Sequence, residues 1–433
     1  MSIYYLSADG CDSRDGLSPE NAWRTIEKAN RSAAPGDELR LRRGDTFFGH
    51  ISLPAGETPD RPTVIGAFGE GKKPTVSQYK TILPDSWEEA PGMPGVWRVD
   101  LSDPSRYTGN VYQADTNVGF LLVSGKVYPR MRFDLSALTA PLDGSDAQTW
   151  DFICDDRYAY VRCPDARPDS LSSDIRLACN ILCLAMKDNM RITDLVFDGT
   201  GGHGIQGSAE NVYIGGCEFH NVGGSLLPGY PVPGTRYGNG VECWSNSSHI
   251  TVENCRFTGI YDVAITMQGD NVRKSWTDMF FRNNLMWNCQ QCFEVWSDGQ
   301  LPDTGFVNCR FENNVCVDSG CCWGYPVRPN KTASCHLLIY GLSCPLCDIT
   351  VTGNIFSGAR VCTVFKSGGS AQIPDDYRIF GNVILTRPGA VLSYPGNSPE
   401  DACAAFEEKL KAENDVRILY TAAEYSGYPA FSE

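Results

Sequence analysis

The segments 192–197 (ITDLVF) and 214–219 (IGGCEF) open a series of six-residue blocks, bulky at the first and last positions and turn-like between them. The series continues at 252–257 (VENCRF), 281–286 (FRNNLM), 306–311 (FVNCRF), 351–356 (VTGNIF) and 379–384 (IFGNVI), which defines an internal repeat. The shortest interval between starts, from 192 to 214, is 22 residues, and the longer ones read as the same unit with insertions. Three strands of about four to five residues with three corners use about that length, whereas a propeller blade takes about 40 residues. The spaced leucines of leucine-rich repeats are absent. Asn, Gly and β-branched residues without a 3.6-residue period exclude a helical solenoid. A coiled stack of short parallel strands remains.

The fourth block position reads Leu195, Cys217, Cys255, Asn284, Cys309, Asn354 and Asn382. Stacked coils would place these residues in one internal ladder, where small thiols suit a tight corner and asparagines hydrogen-bond to the next coil. Their expected role is structural.

Upstream, residues 4–30 read YYLSADGCDSRDGLSPENAWRTIEKAN and residues 36–49 read GDELRLRRGDTFFG. Ser18 reads as the N-cap and Pro19 as the first turn of an amphipathic helix that would plug the open end of the stack. With these segments and the repeated blocks, the chain resembles the pectin lyase-like right-handed parallel β-helix superfamily, in particular its bacterial glycoside hydrolase branch. The resemblance spans most of residues 1–80 and 178–390 and implies an all-β solenoid whose groove binds sugars. Residues 1–81 then form the N-terminal cap and first coils, and 178–397 the main β-helix with its groove. In 82–177 the repeat gives way to runs such as GVWRVDL, VGFLLVSGKVY and RYAYVRC, read as a β-rich insertion beside the first coils. The last segment, 398–433, has a predicted helix over 399–413 and covers the other end.

The strand before each block should line the groove. Three such strands superpose by their apolar positions, at 241–245 (VECWS), 265–269 (ITMQG) and 293–297 (FEVWS). Period-two alternation puts Glu242, Thr266 and Glu294 in one outward column and Trp244, Gln268 and Trp296 in a second. Carboxylates flanked by tryptophans suit a sugar, since an aromatic face covers the apolar face of a pyranose while Asn239, Gln268 and the acids bind hydroxyls. Asp262 lies at the corner before the middle strand, between the two glutamates. Glycoside hydrolysis ordinarily needs two carboxyl groups, about 5 Å apart for retention and about 6.5 to 9.5 Å for inversion. Glu242 and Glu294, two coils apart, would be about 9.6 Å apart at the backbone. Asp262 paired with either would allow a shorter distance, so Glu242, Asp262 and Glu294 are all catalytic candidates. Members of the family resembled carry acids in motifs similar to Gly238-Asn239-Gly240-Val241-Glu242 and Tyr261-Asp262-Val263.

Trp323, Tyr325 and Arg328 fall on the following coil and would continue the groove as substrate contacts, Arg328 alternatively as a structural ion pair. His203, His220 and His336 are weaker candidates for substrate hydrogen bonds, and Lys366 would lie near the far end. Extra length at 223–238 (GGSLLPGYPVPGTRYG) and before residue 351 would wall the groove into a pocket, which favours short oligosaccharides or chain ends.

Bulk composition narrows the partners. A net charge of −15 disfavours nucleic acid, anionic membranes and polyanions. No run approaches the ~18 apolar residues needed to span a bilayer. The start of the chain lacks a basic segment followed by an apolar run, and nineteen scattered cysteines suit reduced thiols, so a cytoplasmic location is expected. Cys344 and Cys347 have no second pair at zinc-ligand spacing, so neither metal nor cofactor is expected. Oligomeric state is left open. The leading expectation is a glycoside hydrolase acting on an oligosaccharide. The alternatives are a polysaccharide lyase or epimerase, using Arg328 or Lys366 on a uronate, and a non-catalytic sugar-binding solenoid.

Overall fold

The computed structural model describes residues 1–139, 147–269, 275–297, 301–342, 344–366, 373–386, 391–394 and 400–418. Short strands wind through them into three long parallel sheets, the faces of a right-handed parallel β-helix. The first face runs from Ile3–Leu6 to Tyr377–Phe380 and the second from Thr46–Phe48 to Asp415–Ile418, each with ten strands among the described residues. The third has eight, from Leu184–Ala185 to Val391–Tyr394.

Each repeated block is the corner between the first and second faces. Its third residue turns the chain in the left-handed region, as Asp194 (φ 63°), Gly216 (61°), Asn254 (56°), Asn283 (56°), Gly353 (67°) and Gly381 (65°) show. Asp, Asn and Gly are the residues that tolerate this conformation. The first and last positions point inward and stack coil on coil: the Phe197 and Phe219 ring centroids are 5.1 Å apart and those of Phe219 and Phe257 4.6 Å.

One block of the expected series is displaced. Phe281 pairs with Phe311, whereas Phe306 pairs with Trp276, so the fifth corner is 311–316 (FENNVC) and not 306–311. Asn308 also adopts positive φ (50°), at an irregularity within Gly305–Glu312, and there it imitates a corner. Asn314 rather than Cys309 therefore occupies the ladder. The run continues through Asn284, Asn314, Asn354, Asn382 and Asn414, each backbone N–H of the first four donating to the next side-chain oxygen at 2.8–3.1 Å. The thiol of Cys309, left out of the run, makes a weak contact to the Trp276 carbonyl at 3.5 Å.

The N-terminal helix starts later than expected, at Ile26–Ser32, with Thr25 as N-cap accepting from the Lys28 N–H. Trp23 prevents an earlier start, because its backbone bonds to Tyr5 and Ser7 and adds a bridge beside the first strand. Ser18 instead closes a turn with Asn21. At the other end the helix Glu400–Glu413 sets Leu410 into the core, and the part of the expected cap beyond residue 418 lies outside the described residues.

The insertion leaves the second face after Thr75–Ser77 and rejoins the third at Leu184–Ala185. It folds as antiparallel sheets of five and four strands around its own core of Val99, Leu121, Phe152 and Leu177. Strands Tyr79–Ile82 and Ile175–Cys179 straddle the expected 82–177 boundaries. It is bolted to a hairpin, Ser225–Leu226 against Arg236–Tyr237, by two bonds between Asn117 and Leu226. Arg236 adds bonds to the Gly119 and Pro129 carbonyls.

Candidate active site on the third face

On the third face Val241, Ile265, Phe293 and Leu337 pair in register and fill the core. The next residue of each strand therefore points outward, which creates the column Gln206, Glu242, Thr266, Glu294 and Leu338. Two residues further on, Trp244, Gln268 and Trp296 form the parallel column. The Trp244 and Trp296 rings approach over Gln268 with centroids 6.5 Å apart.

Glu242 is only 1% exposed and its carboxylate is heavily bonded. Gln206 Nε2 donates to Oε1 at 2.8 Å, and Asn239 Nδ2 and Gln268 Nε2 each donate to Oε2 at 2.7 Å. His203 Nδ1 lies 3.2 Å from Oε2 and accepts the Asn239 backbone N–H at 3.0 Å. Asn239 spans two coils, since its Oδ1 also accepts the Val263 N–H.

Glu294 is also buried, at 7% exposed, but has fewer partners. Thr266 Oγ1 donates to its Oε2 at 3.0 Å. Burial first, and then the nearby Asp262 charge, push its pKa up to about 8, against the opposing pull of the Thr266 hydroxyl and Arg328. Near neutral pH it is a protonated acid. Asp262 is instead ion-paired, with Arg328 Nη1 2.9 Å from its Oδ1 and 3.1 Å from the Tyr261 carbonyl. A neutral carboxylic acid and a charged carboxylate thus sit together, the division of labour that acid-assisted bond cleavage requires.

The structure brings Glu242, Asn239, Gln268, Trp244, Trp296, Thr266, Glu294, Asp262 and Arg328 together. Trp323 is placed differently: it is wedged between Phe120 of the insertion (4.8 Å) and Tyr261 (5.6 Å), with its indole N–H on the Gly259 carbonyl. These contacts make it a packing residue where the insertion meets the coil. The Tyr325 ring is covered by the Arg360 guanidinium at 3.7 Å. His220 lies on the second face beside Glu218, and His336 is buried against Ser319 and Cys292. Lys366 pairs with Ile339, in register with the inward-pointing Val295, so it does not extend the acidic column.

Two groups escape a reading by strand alignment. Gln206 belongs to the short strand Ile205–Gly207, one coil before the three that align. Tyr340 follows Ile339 at an irregularity that pairs Ile339 with Val295 but Gly341 with Trp296. Burial raises the Tyr340 phenol, and the charges acting on it are those of Tyr230, Glu294, Asp262 and Arg328.

A family model described as a right handed beta helix region matches residues 178–384. Among solved structures, a complex of XylC with xylose is 12% identical, covering 90% of this chain and 70% of that one, with a TM-score of 0.49. The GH136 lacto-N-biosidase from Eubacterium ramulus is 13% identical, covering 96% and 68%, with a TM-score of 0.50. An alginate lyase from Paenibacillus sp. is 14% identical, covering 91% and 97%, with a TM-score of 0.42. No curated protein sequence matches. The family match and the three parallel sheets agree on a right-handed parallel β-helix fold for residues 178–384. At these identities the structural neighbours speak for fold alone.

Proposed function

We propose that the protein is a glycoside hydrolase that cleaves a neutral oligosaccharide in the groove of the third face. The observation that carries this reading is the pairing of Glu294, held protonated to about pH 8, with the ion-paired Asp262. Glu294 protonates the leaving oxygen, and Asp262 supplies the carboxylate that attacks the anomeric carbon or activates water. Glu242, whose oxygens already accept three amide N–H groups, holds Gln268 and Gln206 in place to bind sugar hydroxyls. Trp244 and Trp296 cover the apolar face of a ring. That a structural neighbour is a lacto-N-biosidase agrees with a saccharide substrate.

A lyase needs a base and a cation to neutralise a uronate, but Arg328 is engaged by Asp262 in a site that also holds the Glu242 carboxylate. Turnover of neutral and uronate oligosaccharides by wild type, Glu294→Gln and Asp262→Asn tests the proposal. Simple hydrolysis lost in both variants is expected. Unsaturated products absorbing in the ultraviolet would establish the lyase instead, and binding without turnover the non-catalytic solenoid. Buried thiols such as Cys217 and Cys255 fit a proposed cytoplasmic location.

A further inference from the structure

We propose that Tyr340 and Tyr230 form an aromatic clamp over the acid pair that binds the second sugar of a neutral oligosaccharide, making both specificity-determining residues. The inference rests on the reading of the third face as a sugar site, but not on hydrolysis.

The bulge is the first support. In Cys335–Leu342, Leu337 and Ile339 point into the core and Leu338 lies in register with Glu294. Unbroken alternation would turn Tyr340 outward but would also expose Leu342. The irregularity instead sets Gly341 opposite Trp296 and returns Leu342 to the core, so an additional outward aromatic stands beside the Trp column without loss of packing. Gly341 fits this arrangement, because a Cβ there would come within 3.1 Å of Trp296 Cδ1.

Tyr230 belongs to a hairpin that reaches the acid pair, since Arg236 at its base lies over the Tyr261 ring at 5.0 Å, next to Asp262. It lies at the tip of the hairpin whose base is fixed to the insertion through Asn117 and Arg236. Gly234 of the same loop abuts the Phe133 ring of the insertion, so both ends of the loop are anchored. Both phenols nevertheless remain about half exposed, at 48% for Tyr340 and 49% for Tyr230. Large aromatic surface held open beside carboxylates and amides is what recognition of a pyranose needs. The carboxylates of Glu242 and Asp262, with Arg328 already paired, select against a uronate and so set the ligand class as neutral.

The test is calorimetric titration of the wild-type protein with hydrolysis-resistant, sulfur-linked neutral disaccharides and trisaccharides and with their monosaccharides. Tyr340→Ala should lose about tenfold in affinity for the longer sugars and leave the monosaccharides within about threefold. Tyr340→Phe should retain affinity, because the ring carries the contact. Tyr230→Ala, on the hairpin and outside the coil, should reproduce the length-dependent loss even where Tyr340→Ala folds poorly. Equal affinities in the Ala variants and wild type, equal losses for all lengths, or no binding by wild type would overturn the clamp. Length-dependent loss in a protein that never turns over sugar would support the clamp and refute the hydrolase reading.

Discussion

Replacing Glu294 with Gln keeps the size of the side chain and removes its ionisation. Glu294 moves from its ordinary pKa of 4.5 to about 8 in the fold, chiefly through burial. A group whose folded-state pKa is raised favours the folded protein fully below the unfolded value and loses that contribution as the pH rises through the folded value. Between pH 4.5 and 8 the unfolded chain therefore releases a proton that the folded protein retains. At about 1.36 kcal/mol per pKa unit, the penalty for Glu294 grows by roughly 4 kcal/mol between pH 5 and pH 8.5. Urea unfolding followed by tryptophan fluorescence measures it as the stability of Glu294→Gln minus that of wild type at both pH values. The difference should shift in favour of the variant by roughly 4 kcal/mol at the higher pH. A difference that stays constant within about 1 kcal/mol would refute a buried, proton-holding Glu294.

Further consequences follow from neighbouring contacts. Arg328→Met removes a charge that lowers the Glu294 pKa, so the residual pH–rate profile should extend to higher pH while kcat falls at least about tenfold. Gly341→Ala would press a Cβ against Trp296, and weaker binding of neutral disaccharides with an unchanged melting temperature is expected by calorimetry. Asn314→Ala leaves the buried Asn284 N–H without its acceptor and should cost roughly 2 to 4 kcal/mol in urea unfolding. Cys309→Ala, outside the ladder, should cost about 1 kcal/mol.

Core-facing residues were the legible part of this sequence. Val241, Ile265 and Phe293 align by apolarity alone and pair in the structure, which places the Glu242, Thr266 and Glu294 column without further information. The corners were legible where left-handed backbone demands Asp, Asn or Gly. The same rule misled at Asn308, because a bulge makes the identical conformational demand as a corner, and only pairing distinguishes the two. The Arg328–Asp262 pair joins residues 66 apart in the chain, and no periodicity links them. For Tyr340 alternation gives the outward facing but not the register, since a one-residue bulge hands the place opposite Trp296 to Gly341. Trp323 was legible as an aromatic near the groove, but not as the wedge under an insertion whose docking depends on Phe120.

The division of roles between Glu294 and Asp262 is tested most directly by leaving-group dependence. Hydrolysis of aryl glycosides with good leaving groups needs no proton donor, whereas hydrolysis of a natural sugar linkage does. Measured on both substrate types, Glu294→Gln should lose the natural linkage yet keep much of its rate on the activated aryl glycoside, while Asp262→Asn loses both. Equal loss by Glu294→Gln on both substrates, or an Asp262→Asn enzyme as active as wild type, would contradict the account.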